Sequence, residues 1–143
     1  MTEQGVVEKV KGHIARYDRL VSLFGMTLEE VGPGSARVSM KVGGEHLNAA
    51  GVCHGAVIFA LADVAFALAS NSYGNMALAL EASINYFRPV SPGSTIAANV
   101  TEKHRGRRTG FYHIEVTDAQ GRLVADFKAT AFVVEDSPLR EKP

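Results

Sequence analysis

"HLNAAGVCHGAVIFALADVAFALASNS", His46 to Ser72, is a long apolar run broken by one acid, Asp63, and bounded by turn-forming residues. The apolar part, Ala56 to Ala69, is shorter than the roughly 20 residues a bilayer requires and has an acid near its middle, so it reads as a core helix and not a membrane span. "NAAG" and "HG" mark its start. "NSYG" marks its end, where Asn71 or Gly74 can take the left-handed conformation that closes a helix. Val57, Ile58, Phe59, Leu61, Ala62, Val64, Ala65, Phe66 and Leu68 go round every side, which predicts a helix with no solvent face, surrounded by protein.

The surrounding segments read as strands. "SARVSMKV" alternates through Ala36, Val38, Met40 and Val42, and "ALALEASINYF" is long enough to cross a sheet with Leu78, Leu80, Ala82, Ile84 and Tyr86 on one side. After the "RPVSPG" turn come "STIAANVTEKH", the "RGRRTG" connection, "FYHIEVT", the "DAQG" turn and "RLVADFKATAFVV". Connections this short predict antiparallel neighbours, because a parallel pair needs a crossover of about a dozen residues or more. "MTLEEV" reads as a short first strand, and "VVEKVKGHIARYDRLVSLF" has helical spacing at Val6, Val10, Ile14, Tyr17 and Val21. The expected fold is α+β: a curved antiparallel sheet wrapped around one long central helix. One domain spans 1–143, with an N-terminal helical segment at 1–24 and a flexible C-terminal tail at 135–143.

Composition limits the partners. The 143 residues are 46% hydrophobic, enough for one domain with a substantial core. Fifteen basic and fifteen acidic residues cancel, so no overall field draws the chain to nucleic acid or an anionic membrane. The N-terminus is charged throughout and lacks the apolar core of a secretory signal, and the single cysteine, Cys53, allows no intrachain disulfide. The expected location is cytoplasmic. His46, Cys53, His54, His104 and His113 show none of the usual metal-ligand spacings, so no metal is expected.

An ionised carboxylate in an apolar interior is neutralised, paired or left facing a wet cavity, and no Lys or Arg lies within a helical turn of Asp63. A structural acid hydrogen-bonded to core groups is one reading; a functional acid is the stronger one. At the start of the helix, near His54 and Gly55, unsatisfied N–H groups at the positive end of the dipole suit a nascent oxyanion. Gly55 would let a carbonyl approach the backbone, and Asn48 and His54 flank the spot. Singly, Gly55 is as readily mere helix-start geometry, and Asn48 and His54 are more often loop or capping residues than catalysts. Gly55 and Asp63 lie about 12 Å apart along one helix, too far to touch one reacting carbon. A working pair must combine Asp63 of one subunit with Gly55 of another, which predicts a homodimer with two sites at its interface.

The same stretch, with "INYFRPVSPGSTIAANV" and "TGFYHIEVTDAQG", resembles the hotdog-fold acyl-CoA thioesterases of the phenylacetate-degradation type from about Val38 to Val134. The resemblance implies a central helix in a curled antiparallel sheet, dimers joined into a continuous sheet, and often dimers paired again into tetramers. It implies Asp63 as nucleophile or general base and the Gly55 N–H as the donor polarising the thioester carbonyl across the interface. Asn48 and His54 would place the carbonyl or the attacking water. Two departures stand out. Ala56 follows Gly55 where many relatives have a second glycine. Ala79 stands where some carry a water-positioning hydroxyl, with Ser83 as a weak substitute.

No cofactor is implied; coenzyme A enters as part of the substrate. "EKHRGRRTG" gathers Lys103, Arg105, Arg107 and Arg108 at one hairpin, and Arg88 opens another turn, although basic hairpin tips also serve solubility alone. The resemblance assigns the coenzyme A groove to Arg88, Pro89 and the run Arg105, Gly106, Arg107, Arg108, Thr109. Phe59, Phe66, Tyr73, Tyr86 and Phe87 are candidates for the wall of an aryl or medium-chain acyl pocket. Competing readings are a Cys53–His54 dyad, a hydroxyacyl-CoA dehydratase and a noncatalytic acyl-CoA sensor.

Overall fold

A computed structural model describes residues 1–138, with side chains to residue 134. The order is α1 (Glu3–Tyr17), α2 (Arg19–Leu23), β1 (Thr27–Gly32), β2 (Ser35–Lys41), α3 (Gly55–Asn71), β3 (Asn75–Tyr86), β4 (Thr95–Arg105), β5 (Thr109–Asp118) and β6 (Leu123–Pro138). The six strands form one antiparallel sheet in the order β1-β2-β4-β5-β6-β3. One sheet packed on one central helix is the arrangement expected from the sequence. Of the expected C-terminal tail, residues 135–138 continue β6 and 139–143 lie outside the described residues.

Alternation puts one face of each strand onto α3. Ala36, Val38 and Met40 of β2, Ile96, Ala98 and Val100 of β4, Ile114 and Val116 of β5, and Ala125, Phe127, Ala129 and Ala131 of β6 are all buried. They meet Val57, Leu61, Val64, Ala65 and Leu68 of α3 in one apolar cluster. Fully burying a residue of Leu or Val size contributes about 1.5–3 kcal/mol, so this face holds the sheet to the helix. Among the described residues no helix is long and apolar enough to cross a membrane.

Four sequence expectations are corrected. The N-terminal helical run divides at Asp18, which is extended (φ −78°, ψ 110°) and whose carboxylate accepts the Leu20 N–H at 3.1 Å, capping α2. β3 and β4 are not hairpin partners: β3 pairs with β6 alone, and residues 87–94 carry the chain over the end of the sheet. Eight extended residues reach about 27 Å, and three inter-strand spacings need about 14 Å, so a short connection does not dictate a neighbour. Phe87 N–H to Val124 O (2.8 Å), Cys53 N–H to Val90 O (2.8 Å) and Gly93 N–H to Val42 O (2.8 Å) pin this crossover to β6, to the loop before α3 and to the end of β2 in turn.

The alternation expected along β3 also fails at its first half. A register shift between Ala79 and Glu81 reverses the pleat, so Ala82 and Ile84 pack on the core while Leu78 and Leu80 are 57% and 62% exposed. Finally, α3 is not enclosed on every side. Phe59, Asp63 and Ala67, four residues apart, are only half-buried, and they form a stripe beside exposed Ala56. Phe59 of this stripe packs on Phe127 of β6, while Asp63 and Ala67 stay partly open to solvent.

Candidate active site

The N-terminus of α3 is built by short-range bonds. His54, extended at φ −62° and ψ 135°, is the N-cap, and its Nδ1 accepts the Ala56 N–H at 3.1 Å. The His54 carbonyl accepts from the Val57 N–H (2.9 Å) and the Ile58 N–H (3.2 Å), while the His54 N–H donates to His46 O at 2.8 Å. This leaves the Gly55 N–H as the first-turn amide with no acceptor among the described residues. A backbone donor at the positive end of a 17-residue helix is an anion site in waiting.

Asn48 sits in a tight loop that its own side chain organises: Oδ1 accepts the Ala50 N–H (3.0 Å) and the Val52 N–H (3.3 Å). With the oxygen committed, the carboxamide NH2 is what Asn48 has to offer a ligand. Asn48 and Gly55 meet Cys53, Ile58, Tyr86, Phe87, Arg88 and Pro89 around a cavity of about 340 Å³. Two larger cavities, one along α1 and one on the outer face of the sheet, hold none of the expected catalytic residues; of the other candidates, Tyr73 lines the first and Lys103 the second.

Tyr86 gives Gly55 a purpose that sequence reasoning missed. Its hydroxyl donates to Gly55 O at 2.7 Å, and its ring lies 3.1 Å from where a Gly55 Cβ would stand. The glycine admits this ring as well as any substrate, and the ring fixes the peptide that follows the free amide. The two residues are 31 positions apart in sequence, so only the crossover that ends β3 at the tip of α3 reveals the contact.

Asp63 lies two turns further along α3, on the half-buried stripe, and does not line the cavity. No hydrogen bond or ion pair reaches its carboxylate among the described residues. Burial, and secondarily the negative charge of Asp18, raise its pKa above the ordinary carboxylate value. A carboxylate shifted upward in this way is a stronger base near neutrality than an exposed one. Within one chain, therefore, the structure gathers Asn48, His54 and Gly55 at one end of the helix and leaves Asp63 about 12 Å away along it.

The expected coenzyme A residues fall into two groups. Arg88 and Pro89 border the cavity. Arg105, Gly106, Arg107, Arg108 and Thr109 form the β4–β5 hairpin, closed by Gly106 N–H to Thr109 O at 2.8 Å, at the opposite end of α3. Arg105 is engaged there: it donates to Ser70 O (3.1 Å) and the Tyr112 hydroxyl (3.1 Å) and stacks over Tyr73 at 4.1 Å. Its charge thus supports the negative end of the helix, while Arg107 and Arg108 are exposed. Since α3 is about 26 Å long, the two groups cannot line one groove within a chain.

Of the other candidates, Phe59 packs edge-on against Phe127 (4.9 Å) and Phe66 against Tyr112 (5.5 Å), as core residues do; Tyr86 and Phe87 reach the cavity. Ser83 lies opposite Lys128 on the outer face of the sheet and Ala79 opposite buried Ala131 on the inner face, so Ser83 does not stand in for a hydroxyl at Ala79. The Cys53–His54 dyad is disfavoured: the Cys53 thiol points to His54 O (3.7 Å), and burial pushes its pKa up to about 11, so it is protonated at neutral pH.

A family model described as "Thioesterase superfamily" matches residues 50–125. The acyl-coenzyme A thioesterase PaaI of Escherichia coli K12 is 38% identical over 111 residues, covering 78% of this chain and 79% of that protein. The solved structure of the E. coli PaaI protein from the phenylacetic acid degradation operon superposes with a TM-score of 0.91 at 31% identity, covering 95% of this chain and 99% of that one. A protein of Streptococcus pneumoniae TIGR4 described as a hypothetical thioesterase, solved with coenzyme A, gives a TM-score of 0.76 at 30% identity; the match covers 80% of this chain and 90% of that one.

Proposed function

The chain belongs to the thioesterase superfamily as a thioester hydrolase of the PaaI type, and on that premise we propose that it hydrolyses an aryl- or medium-chain acyl-CoA to the free acid and coenzyme A, at sites each shared by two subunits. The observation that carries this reading is the uncommitted N–H of Gly55, a residue that lines one cavity together with Asn48. Attack on the thioester carbonyl moves negative charge onto its oxygen, and one well-placed donor there is typically worth about a hundred- to a thousandfold in rate. Asn48 supplies a second donor. His54 holds the amide row in place and keeps its other ring nitrogen for the carbonyl or the water.

Asp63 of the other subunit either takes a proton from the attacking water or attacks the carbonyl itself to form an anhydride that water then opens. In both cases the tetrahedral intermediate collapses with the coenzyme A thiolate as leaving group. Two features of the single chain support a second copy: the half-buried positions Asp63 and Ala67 of α3, and the edge strand β3 with exposed Leu78 and Leu80. A two-fold axis that runs two α3 helices antiparallel sets each Asp63 beside the other's Gly55. It also carries the Arg107–Arg108 hairpin of one subunit toward the cavity of its mate, which reunites the two basic groups. Such dimers pair again into a tetramer.

Release of free thiol from a panel of acyl-CoAs tests the activity; binding without release would contradict it. Charge reversal of the hairpin, Arg107→Glu with Arg108→Glu, is expected to raise KM for acyl-CoA by about tenfold through lost phosphate contacts. Hydrolysis of small thioesters lacking the nucleotide should be unchanged, and an equal effect on both substrates would remove the hairpin from the coenzyme A site.

A further inference from the structure

The outer face of the sheet, turned away from α3, carries a group of side chains that the hydrolysis does not use. His113 and Glu115 of β5 and Asp126 of β6 bring a ring nitrogen and two carboxylate oxygens within 4.8 Å of one another. Strand register explains the meeting: Glu115 lies directly opposite Asp126, and His113, two residues before Glu115, shares its face. His113 Nε2 is already in contact with Asp126 Oδ1. Linear spacing hides the set, because its members come from two strands.

Like charges directly opposed across a strand pair destabilise it, and one imidazole can offset at most one of the two carboxylates. Asn99 of β4 faces Glu115, Thr101 of β4 and Lys128 of β6 face His113, and Asn85 of β3 faces Asp126. Lys128 is the only cation in that ring of neighbours, and among the described residues it forms no ion pair with either acid. The side chains of His113 and Asp126 are 31% and 20% exposed, so an ion from solvent can reach them while the sheet holds them in place.

We propose that His113, Glu115 and Asp126 bind one first-row divalent cation, with Zn²⁺ the preferred ion in cells. One imidazole and two carboxylates are a donor set that zinc accepts at about 2.0–2.2 Å. Exposed Glu115 swings to close the remaining gap, and water completes the coordination. The ion replaces a repulsive cross-strand pair with a clamp between β5 and β6. Its role is structural, on the face of the sheet opposite the proposed hydrolytic site.

Calorimetric titration of the chelator-treated full chain with ZnCl2 tests this. The expected result is one ion per chain and a raised Tm, with at least a tenfold weaker Kd in both His113→Gln and Glu115→Gln. Glu115 is exposed, so its variant keeps the fold and remains informative even if His113→Gln perturbs the sheet. No saturable binding, or binding that Glu115→Gln leaves unchanged, would overturn the proposal.

Discussion

Asp63→Asn is expected to lower kcat by about a thousandfold or more while the protein keeps its fold and assembly. The side chain is isosteric and makes no hydrogen bond or ion pair within the described chain, so the substitution removes little except the ability to take a proton or attack a carbonyl. The pH dependence gives an independent check. Burial and the Asp18 charge raise the Asp63 pKa, and the carboxylate must be ionised to act. Activity should therefore fall as pH drops through a midpoint above the ordinary carboxylate value, and the residual activity of Asp63→Asn should lack that acid limb. Near wild-type turnover in the variant would remove Asp63 from the chemistry.

The second large effect isolates the backbone donor. Gly55 is the first residue of α3, a position where proline is tolerated because its missing N–H has no partner within the helix. His54 is already extended at ψ 135°, as a residue before proline prefers. Gly55→Pro therefore removes the N–H assigned to the oxyanion with little demand on the backbone. Its Cβ does meet the Tyr86 ring, which stands 3.1 Å away, and Gly55→Ala carries the same Cβ with the N–H retained. Relative to Gly55→Ala, Gly55→Pro is expected to lose about a hundred- to a thousandfold in kcat. Equal rates in the two variants would show that the amide does not meet the developing charge.

What the sequence made legible was what local chemistry decides. The limits of α3 follow from His54 and Gly55 at one end and the glycine turn after Asn71 at the other, all short-range effects. Alternation exposed the buried faces of β2, β4, β5 and β6. Pairing between distant strands was less readable: the crossover after β3 is as short as a hairpin, and the bulge between Ala79 and Glu81 leaves no mark in the hydrophobic pattern. The site was legible by residue type and not by commitment. Arg105 reads as a free cation but is held by Ser70 and Tyr112, whereas Tyr86 reads as pocket wall and proves to hold Gly55. Both depend on contacts 31 or 35 residues away that neither periodicity nor spacing encodes.

The most direct test of a site shared between subunits is activity recovered by mixing two inactive chains. Asp63→Asn and Gly55→Pro subunits, unfolded together in equal amounts and refolded, form mixed dimers in which one of the two interface sites holds an intact Asp63 and an intact Gly55. Random assortment then predicts about a quarter of wild-type activity. Mixed dimers no more active than either parent would place Asp63 and Gly55 in one chain's site and contradict the account.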